Sequence, residues 1–424
     1  MTGFVSILLS VFAALVALGV YRYVPGVRSR AKKRGTALVT GPNSGHDVAL
    51  QAQKASDFPD DWWTGDSLFD LERRAIFSKQ WTFISHQSNF TRPGDYHTYE
   101  LANFPIFLIL GKDHVIRAFH NVCRHRAYTI TKKKSGSSTV LGCRYHGWSY
   151  DTRGRLVKAP AFDNIASFDR SQNGLFEIHT HTTRQGFIFV NLNTTNVSAL
   201  DAKVVDVVAR AWGISERSAP LAVIDVEESL NWKQAVFHME QAGYLSKVMP
   251  TAWHELASKM PFFSGVGNGD VHCILDSHGL NSLHVAAGGR LWYTFSASPI
   301  SVGQTRFTCH IYLNWPGDNA QSDIAMQIIK DEVQSLLLDA RRAPPVLDAA
   351  AAELQKGILN DLTTHLKEER KNGKEVWPAS RESTVSEKYN QADLLCKQLS
   401  CLKPKAVPSI DNWGKLGSRS ELDW

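Results

Sequence analysis

The sequence of 424 residues lacks the features of several protein classes. Its six cysteines show no paired spacing outside one short stretch, which argues against a disulfide scaffold and favours a reducing compartment. There is no internal repeat and no phosphate-binding glycine loop, so neither a solenoid nor a nucleotide-binding domain is expected. The net charge of +6 comes largely from local clusters, and we therefore predict no nucleic-acid partner.

Charged side chains are also missing from residues 1–21, and the run from Phe4 to Tyr21 is almost wholly apolar. About twenty apolar residues span the core of a bilayer, and the basic residues between Arg22 and Arg34 would face the cytoplasm. We therefore predict a single-pass membrane anchor at residues 1–24, a basic and polar linker at residues 25–60, and a catalytic body on the cytoplasmic side. A cleaved signal peptide is the alternative, but no basic residue precedes the apolar run.

The most informative stretch runs from Asn121 to Tyr150. Cys123 and His125 form one pair with a single residue between them, and Cys143 and His146 form a second pair with two. Four ligands of this kind also suit structural zinc, but zinc fingers place both cysteines before both histidines. One cysteine and one histidine on each of two loops is the pattern of a Rieske [2Fe–2S] centre, in which the cysteines hold one iron and the histidines the other. We therefore predict a [2Fe–2S] cluster that relays electrons.

The pattern of apolar residues predicts an α+β chain with two domains behind the anchor. A helix is expected within residues 60–81, followed by short alternating strands as far as about residue 192. Strands are expected again between residues 275 and 313, and amphipathic helices at residues 323–342 and 346–369. We divide this part into an all-β Rieske domain with its leading helix, residues 61–185, and a second domain, residues 186–424.

The run from Phe69 to Trp148 resembles the α-subunits of Rieske non-haem iron oxygenases, particularly the choline and carnitine monooxygenase branch. The matching motifs are Phe77-x-x-x-Trp81, Pro93-Gly94-Asp95-Tyr96, Arg117-Ala118-Phe119-x-Asn121-Val122-Cys123-x-His125-Arg126 and Cys143-x-Tyr145-His146-Gly147-Trp148. Arg124 and Arg144 replace a common proline, and Ala127 replaces a common glycine. The resemblance implies a C-terminal antiparallel sheet flanked by helices, a homotrimer, and a small organic substrate. It also implies a separate reductase of the flavin/NAD(P)H or ferredoxin type, because no flavin or nicotinamide site is evident in this chain.

The resemblance continues at Asn231-Trp232-Lys233, which in the family opens the helix that carries the mononuclear iron ligands. An acidic relay residue and two histidines are expected there, with a distal carboxylate completing a 2-His-1-carboxylate site. In this register the three positions hold Gln241, Tyr244 and Met249, none of which is a suitable replacement. The usual triad is absent, which leaves mononuclear Fe(II) a doubtful cofactor and the catalytic residues unknown.

Other residues offer only weak alternatives as iron ligands. His238 and His254 lie near the expected helix, and Asp393 lies near the position of the expected distal acid. Four further histidines come from the later strand-rich region, where a hydrogen-bonded structural role is the simpler interpretation: His272, His278, His284 and His310.

The sequence therefore predicts a membrane-anchored Rieske-type mono- or dioxygenase that oxidises a small organic molecule. The main alternative is a pseudo-oxygenase, which keeps the cluster as an electron carrier and lacks the mononuclear iron. A third hypothesis is a binding protein whose four ligands hold zinc.

Overall fold

The computed structural model describes residues 58–160, 162, 168–194, 197–241, 271–276, 278–286, 291–314 and 349–379, together with four residues between 327 and 334. Contacts divide the chain into Met1–Ala55 and Ser56–Trp424, and every described residue belongs to the second unit. The predicted anchor at residues 1–24 lies outside the described residues, as does nearly all of the predicted linker at residues 25–60. Among the described residues, no helix combines the length and the apolar character needed to cross a membrane.

A short helix leads into the first sheet. Helix α1, Asp66–Glu72, continues directly into a π-helical turn, Arg73–Phe77. Phe69 and Leu71 of the helix and Phe77 of the turn are buried, which is what the apolar spacing predicts for one face of a helix. The predicted helix within residues 60–81 is therefore confirmed, although regular helix begins only at Asp66.

Within the described residues, the first sheet has seven antiparallel strands in the spatial order β1-β10-β9-β4-β3-β2-β5. The strands are β1 Thr82–His86, β2 Asp95–Leu101, β3 Phe104–Leu110, β4 Ile116–His120, β5 Ser135–Ser137, β9 Glu177–Thr182 and β10 Phe187–Asn191. The boundary predicted between residues 185 and 186 falls in the β9–β10 turn, so this sheet itself continues to Asn191.

The strands that follow β5 form a second, small sheet. As far as the chain is described, it has three strands, β6 Val140–Gly142, β7 Ser149–Asp151 and β8 Leu156–Lys158. Tyr150 of β7 and Trp148, which directly precedes this strand, share a separate core with Phe107 and Phe119 of the larger sheet. The aromatic core between the two sheets fixes the position of the loop between β6 and β7.

The second half of the chain forms a five-stranded antiparallel sheet, counted over the described residues, with the order β11-β15-β14-β13-β12. Its strands are β11 Ala219–Glu228, β12 Val271–Ile274, β13 Asn281–Ala286, β14 Leu291–Ser301 and β15 Gln304–Leu313. The accompanying helices are α2 Lys203–Ala211, α3 Trp232–Gln241 and α4 Ala349–Asn372. This arrangement of helices beside an antiparallel sheet agrees with the α+β architecture predicted for the second domain.

Candidate functional site

The four predicted cluster ligands lie on two loops that are closed in the same way. In the first loop, the backbone N–H of Cys123 donates to the carbonyl of Tyr128 at 2.8 Å, and Ala127 donates back to Cys123 at 3.0 Å. In the second, Cys143 donates to Trp148 at 2.7 Å, and Gly147 donates back to Cys143 at 2.9 Å. Each loop thus turns its cysteine side chain inward by the same pair of backbone hydrogen bonds.

Both turns need one residue with positive φ. Ala127 has φ +52° in the first loop, and Gly147 has φ +74° in the second. Glycine adopts this left-handed conformation freely, whereas a side chain at the same position is strained. The alanine that replaces the family's glycine therefore keeps the glycine conformation.

The side chains of the two loops meet in the space between them. Cys123 and Cys143 are 2% and 3% exposed and lie in the same buried cluster. The two thiols affect each other: Cys123 lowers the pKa of Cys143, and Cys143 raises the pKa of Cys123. The rings of His125 and His146 lie 4.6 Å apart between centroids. Two sulfur ligands and two imidazoles are therefore brought together, as a two-iron cluster requires.

Aromatic side chains shield this group of ligands unequally. The indole of Trp148 stacks on His125 at 4.9 Å with an interplanar angle of 8°, and Phe162 contacts the same imidazole edge-on at 5.0 Å. His146 is only half-buried, and its neighbour Tyr145 is 46% exposed. The side of His146 is therefore the one nearest the protein surface.

Tyr150 is a functional residue that the sequence interpretation missed. Its hydroxyl accepts a hydrogen bond from the backbone N–H of Arg124 at 3.1 Å and lies 3.2 Å from Sγ of Cys123. Because the backbone N–H is the donor in the first contact, the tyrosine proton is available to the sulfur. Strand alternation was the available signal, since Trp148 and Tyr150 are two residues apart and point to the same face.

The donor set does not resemble a site for a single ion. Among the described residues, no three His, Cys, Asp or Glu side chains converge as one metal ion would need. A cluster with two irons requires only a cysteine pair at one end and a histidine pair at the other. The arrangement therefore fits a [2Fe–2S] cluster better than zinc.

The start of α3 is anchored by a buried ion pair. Nζ of Lys233 contacts Oε1 of Glu72, and Nε1 of Trp232 donates to Oε2 of the same carboxylate at 2.6 Å. The ammonium also lies 4.8 Å from the ring centroid of Trp62. Burial raises the pKa of Glu72 and lowers that of Lys233, so their pairing with each other is what keeps both side chains charged.

The family's mononuclear iron positions fall at or beyond the end of α3. Gln241 is its last residue and His238 lies three residues earlier, but the side chains of both lie outside the described part of the structure. The remaining predicted positions, Tyr244, Met249, His254 and Asp393, also lie outside it.

Two later histidines have structural partners. Nδ1 of His278 lies 2.6 Å from Oε1 of Gln80, and its Nε2 lies 3.2 Å from Asp361. Nε2 of His284 lies 2.8 Å from the hydroxyl of Ser282. These contacts support the hydrogen-bonded structural role expected for both.

A separate cleft of about 470 Å³ has no described residue of the cluster loops or of α3 in its wall. Its wall includes Trp81, Asn191, Val205, Leu275 and Asp276. The volume suits a small molecule, and among the described residues its wall contains none of the four cluster ligands.

Comparisons with known proteins agree with this geometry. The sequence profile of the Rieske [2Fe–2S] domain matches residues 80–169. The carnitine monooxygenase oxygenase subunit of Acinetobacter baumannii is 31% identical over 192 residues, which is 45% of this chain and 52% of the relative. The α-subunit of 2-aminobenzenesulfonate 2,3-dioxygenase from an Alcaligenes species is 39% identical over 134 residues, or 31% of this chain and 34% of the relative.

The fold is also similar to that of a solved oxygenase. The structure of the quaternary ammonium Rieske monooxygenase CntA with L-carnitine superposes with a TM-score of 0.52 and 22% identity, covering 71% of this chain and 85% of the other. By sequence, the chain spans about half the length of the carnitine monooxygenase subunit that it matches. These findings confirm the resemblance to Rieske oxygenase α-subunits and the [2Fe–2S] cluster as the cofactor.

Proposed function

We propose that this chain, which carries a Rieske [2Fe–2S] domain and resembles oxygenase α-subunits of the carnitine monooxygenase branch, is a Rieske-type oxidoreductase. It receives electrons from a separate reductase and oxidises a small organic substrate in the second domain. The observation that carries the proposal is the convergence of two thiols and two imidazoles from two matched loops.

The residues of the two loops have distinct tasks. Cys123 and Cys143 would hold one iron and His125 and His146 the other, and a cluster bound in this way would supply one-electron transfer. Tyr150 donates a hydrogen bond to the Cys123 sulfur and so stabilises negative charge there. Trp148 excludes water from the inner imidazole.

The names of the similar proteins suggest which classes of substrate should be tested. The similar proteins are named for carnitine, a quaternary ammonium compound, and for 2-aminobenzenesulfonate, an aromatic acid. We propose that the substrate of this chain is of similar size, and that residues 1–24 anchor the protein in a membrane with the catalytic body on the cytoplasmic side. The apolar composition of those residues supports the anchor.

A pseudo-oxygenase is the second candidate, and the identities of Gln241, Tyr244 and Met249 favour it. These residues replace an acid and two histidines in the family register. A chain of this kind would still pass electrons through the cluster, but it would bind no second type of iron.

Iron and acid-labile sulfide per chain decide between the two candidates. We expect about three irons for every two sulfides in anaerobically purified protein if a mononuclear site exists with other ligands. A ratio near two to two that added Fe(II) does not change would establish the pseudo-oxygenase. Absence of both sulfide and the visible absorption of an iron–sulfur cluster would overturn both candidates.

A further inference from the structure

The cleft of about 470 Å³ lies where the seven-stranded sheet, the five-stranded sheet and α2 meet. In its wall, Phe189 comes from β10, Ile274 is the last residue of β12, and Val205 lies in the first turn of α2. A molecule bound in the cleft would therefore contact elements of both large sheets at once.

The five-stranded sheet separates this cleft from α3. Trp292 of β14 shares a buried core with Val205 and Leu275 of the cleft wall. The next residue, Tyr293, shares a different core with Trp232 of α3. Because successive side chains of a strand point to opposite faces of a sheet, the cleft and α3 lie on opposite faces. The cleft is thus distinct from the helix at which the family places its mononuclear iron ligands.

Three charged side chains line the cleft, and each already has a partner within the protein: Lys79, Asp201 and Asp276. Nζ of the lysine pairs with Glu368 at 2.8 Å. The carboxylate of Asp201 pairs with Nζ of Lys203 at 3.6 Å, and that of Asp276 accepts from the amide of Asn281 at 2.6 Å. A charged ligand would therefore lose its hydration without gaining an unpaired counter-charge from these groups.

Much of the remaining wall is apolar. Phe189, Val205 and Leu275 are buried members of one hydrophobic core, and the partly buried Trp81 packs against the same core. The indole N–H of Trp81 donates to the carbonyl of Ser198 at 2.8 Å, so the polar atom of this ring is already used. The ring can then contribute apolar contact area to a ligand.

We propose that this cleft, here called the α2 cleft, binds an uncharged and largely apolar small molecule with one or two rings, as an effector site outside the catalytic machinery. The volume is typical of sites for small organic ligands, and transfer of an apolar ligand from water to an apolar wall is favourable. The proposal goes beyond the oxidoreductase function, because it requires neither the cluster nor a second type of iron. No covalent bond forms or breaks.

The site also predicts a consequence for stability. A ligand that binds the assembled wall and not the unfolded chain stabilises the folded state. Since the wall combines β10, β12 and α2, the occupied cleft should hold the two large sheets together more firmly. We expect the urea midpoint of the full-length protein to rise with ligand concentration and to level off only far above saturation of the site.

Camphor and two charged relatives of similar shape test the chemical class. Isothermal titration of full-length protein should show saturable binding of the uncharged ketone camphor. Bornylamine, a cation, and camphorsulfonate, an anion, should bind at least about tenfold more weakly, because each carries a charge that the wall does not compensate. No saturable binding of camphor, or binding of either ion as tight as that of camphor, would overturn the proposal.

Two substitutions on one helix test the location. Val204 of α2 lines the cleft, and Val204→Trp should fill it and weaken camphor binding at least about tenfold. Val207 is partly buried on the same helix but does not line the cleft, so Val207→Trp should bind within about twofold of the parent protein. Urea midpoints measured without ligand report whether each variant is folded. Equal weakening in two folded variants would contradict the assignment.

Fluorine NMR keeps the proposal testable even if Val204→Trp does not fold. In protein labelled with fluorotryptophan, the signals of Trp81 and Trp232 are identified by their loss in Trp81→Phe and Trp232→Phe. Saturating camphor should shift the Trp81 signal and leave that of Trp232, on the other face of the sheet, unchanged. A shift of the Trp232 signal alone would mean that camphor binds on the side of α3, and the α2 cleft would then not be the site.

Discussion

The two cluster loops gather their ligands from residues 123–146, whereas the anchor of α3 joins Lys233 to Glu72 across 161 positions of the chain. The loops are closed by backbone hydrogen bonds of 2.7 to 3.0 Å within each loop. The anchor depends on a side-chain ion pair that only the finished fold brings together. A local site is visible in the sequence as a motif, and a site assembled from distant elements is not.

Loss of a cluster ligand should have the largest effect of all the changes. The effect should be on the cluster itself, and the rest of the fold should be unchanged. We expect His125→Ala or His146→Ala to abolish the Rieske EPR signal, because one iron then lacks half of its protein ligands. Iron and sulfide analysis alongside EPR at low temperature checks this. His179→Ala on β9, which removes an exposed imidazole, should keep the full signal. A signal that survives in both ligand variants would show that the assignment of these histidines is wrong.

Breaking the anchor should cost the most stability. Lys233→Met leaves the carboxylate of Glu72 buried without its cation, and we expect the free energy of unfolding to fall by about 3–5 kcal/mol. Urea denaturation followed by tryptophan fluorescence measures this. The double variant Glu72→Gln/Lys233→Met should lose less, because no uncompensated charge remains and Trp232 keeps a hydrogen-bond acceptor.

A surface pair provides the control for the anchor. Lys79 and Glu368 form an ion pair of 2.8 Å that is partly exposed, and Lys79→Met should cost about 1 kcal/mol or less. If Lys233→Met costs no more than Lys79→Met, the buried pair does not anchor α3.

The contrast also explains how much of the molecule can be predicted from its sequence. The leading helix, the strands β2 to β4 and the two ligand pairs are visible because apolar alternation and ligand spacing are local properties. Glu72 is not, since it stands in a run of charged residues, Glu72-Arg73-Arg74, that would ordinarily be assigned to a solvent-exposed helix face. In the fold, Glu72 pairs with Lys233, and Arg74 pairs with Glu369 at 2.7 Å. In each pair the partner belongs to an element far along the chain.

Acid should destabilise the contact between the seven-stranded and the five-stranded sheets. Burial lowers the pKa of His86 to about 4, and its ring packs on Trp292 of the five-stranded sheet, with 4.9 Å between the ring centroids. As the pH falls from about 6.5 to 4, the unfolded chain takes up a proton that the folded chain refuses, so stability falls by up to about 3 kcal/mol. Urea denaturation at a series of pH values measures this loss.

The variant His86→Gln isolates this contribution. Its amide still donates to the carbonyl of Gln185, which accepts from the imidazole at 2.8 Å, but it has no proton to gain in this range. We expect a flatter profile below pH 6.5 than in the parent protein. Parallel profiles for His86→Gln and the parent would show that His86 contributes nothing to acid lability.

Removing one hydroxyl should tune the cluster without disturbing the fold. Tyr150→Phe deletes the hydrogen bond to the Cys123 sulfur, and the reduced, more negative cluster loses more stabilisation than the oxidised one. We expect the reduction potential to fall by roughly 40 mV, which corresponds to about 1 kcal/mol for one electron. A redox titration followed by EPR measures the shift, and Tyr128→Phe, which alters an exposed hydroxyl, should leave the potential unchanged.

The smallest expected change in stability comes from comparing the two cluster loops with each other. Ala127 and Gly147 occupy matching turns with φ +52° and +74°, but only one of them is a glycine. Ala127→Gly removes a strained side chain, and we expect a gain of up to about 1 kcal/mol in the free energy of unfolding. Gly147→Ala adds that strain and brings a new Cβ to 3.3 Å from Pro160, so it should lose about 1–2 kcal/mol. Urea denaturation should show changes of opposite sign in the free energy of unfolding, and both variants should keep the EPR signal. This result would establish that the two loops have equivalent backbone geometry and differ only in how well the residue at the turn suits that geometry. A loss in both would mean that the methyl group of Ala127 makes a packing contribution larger than the strain it carries.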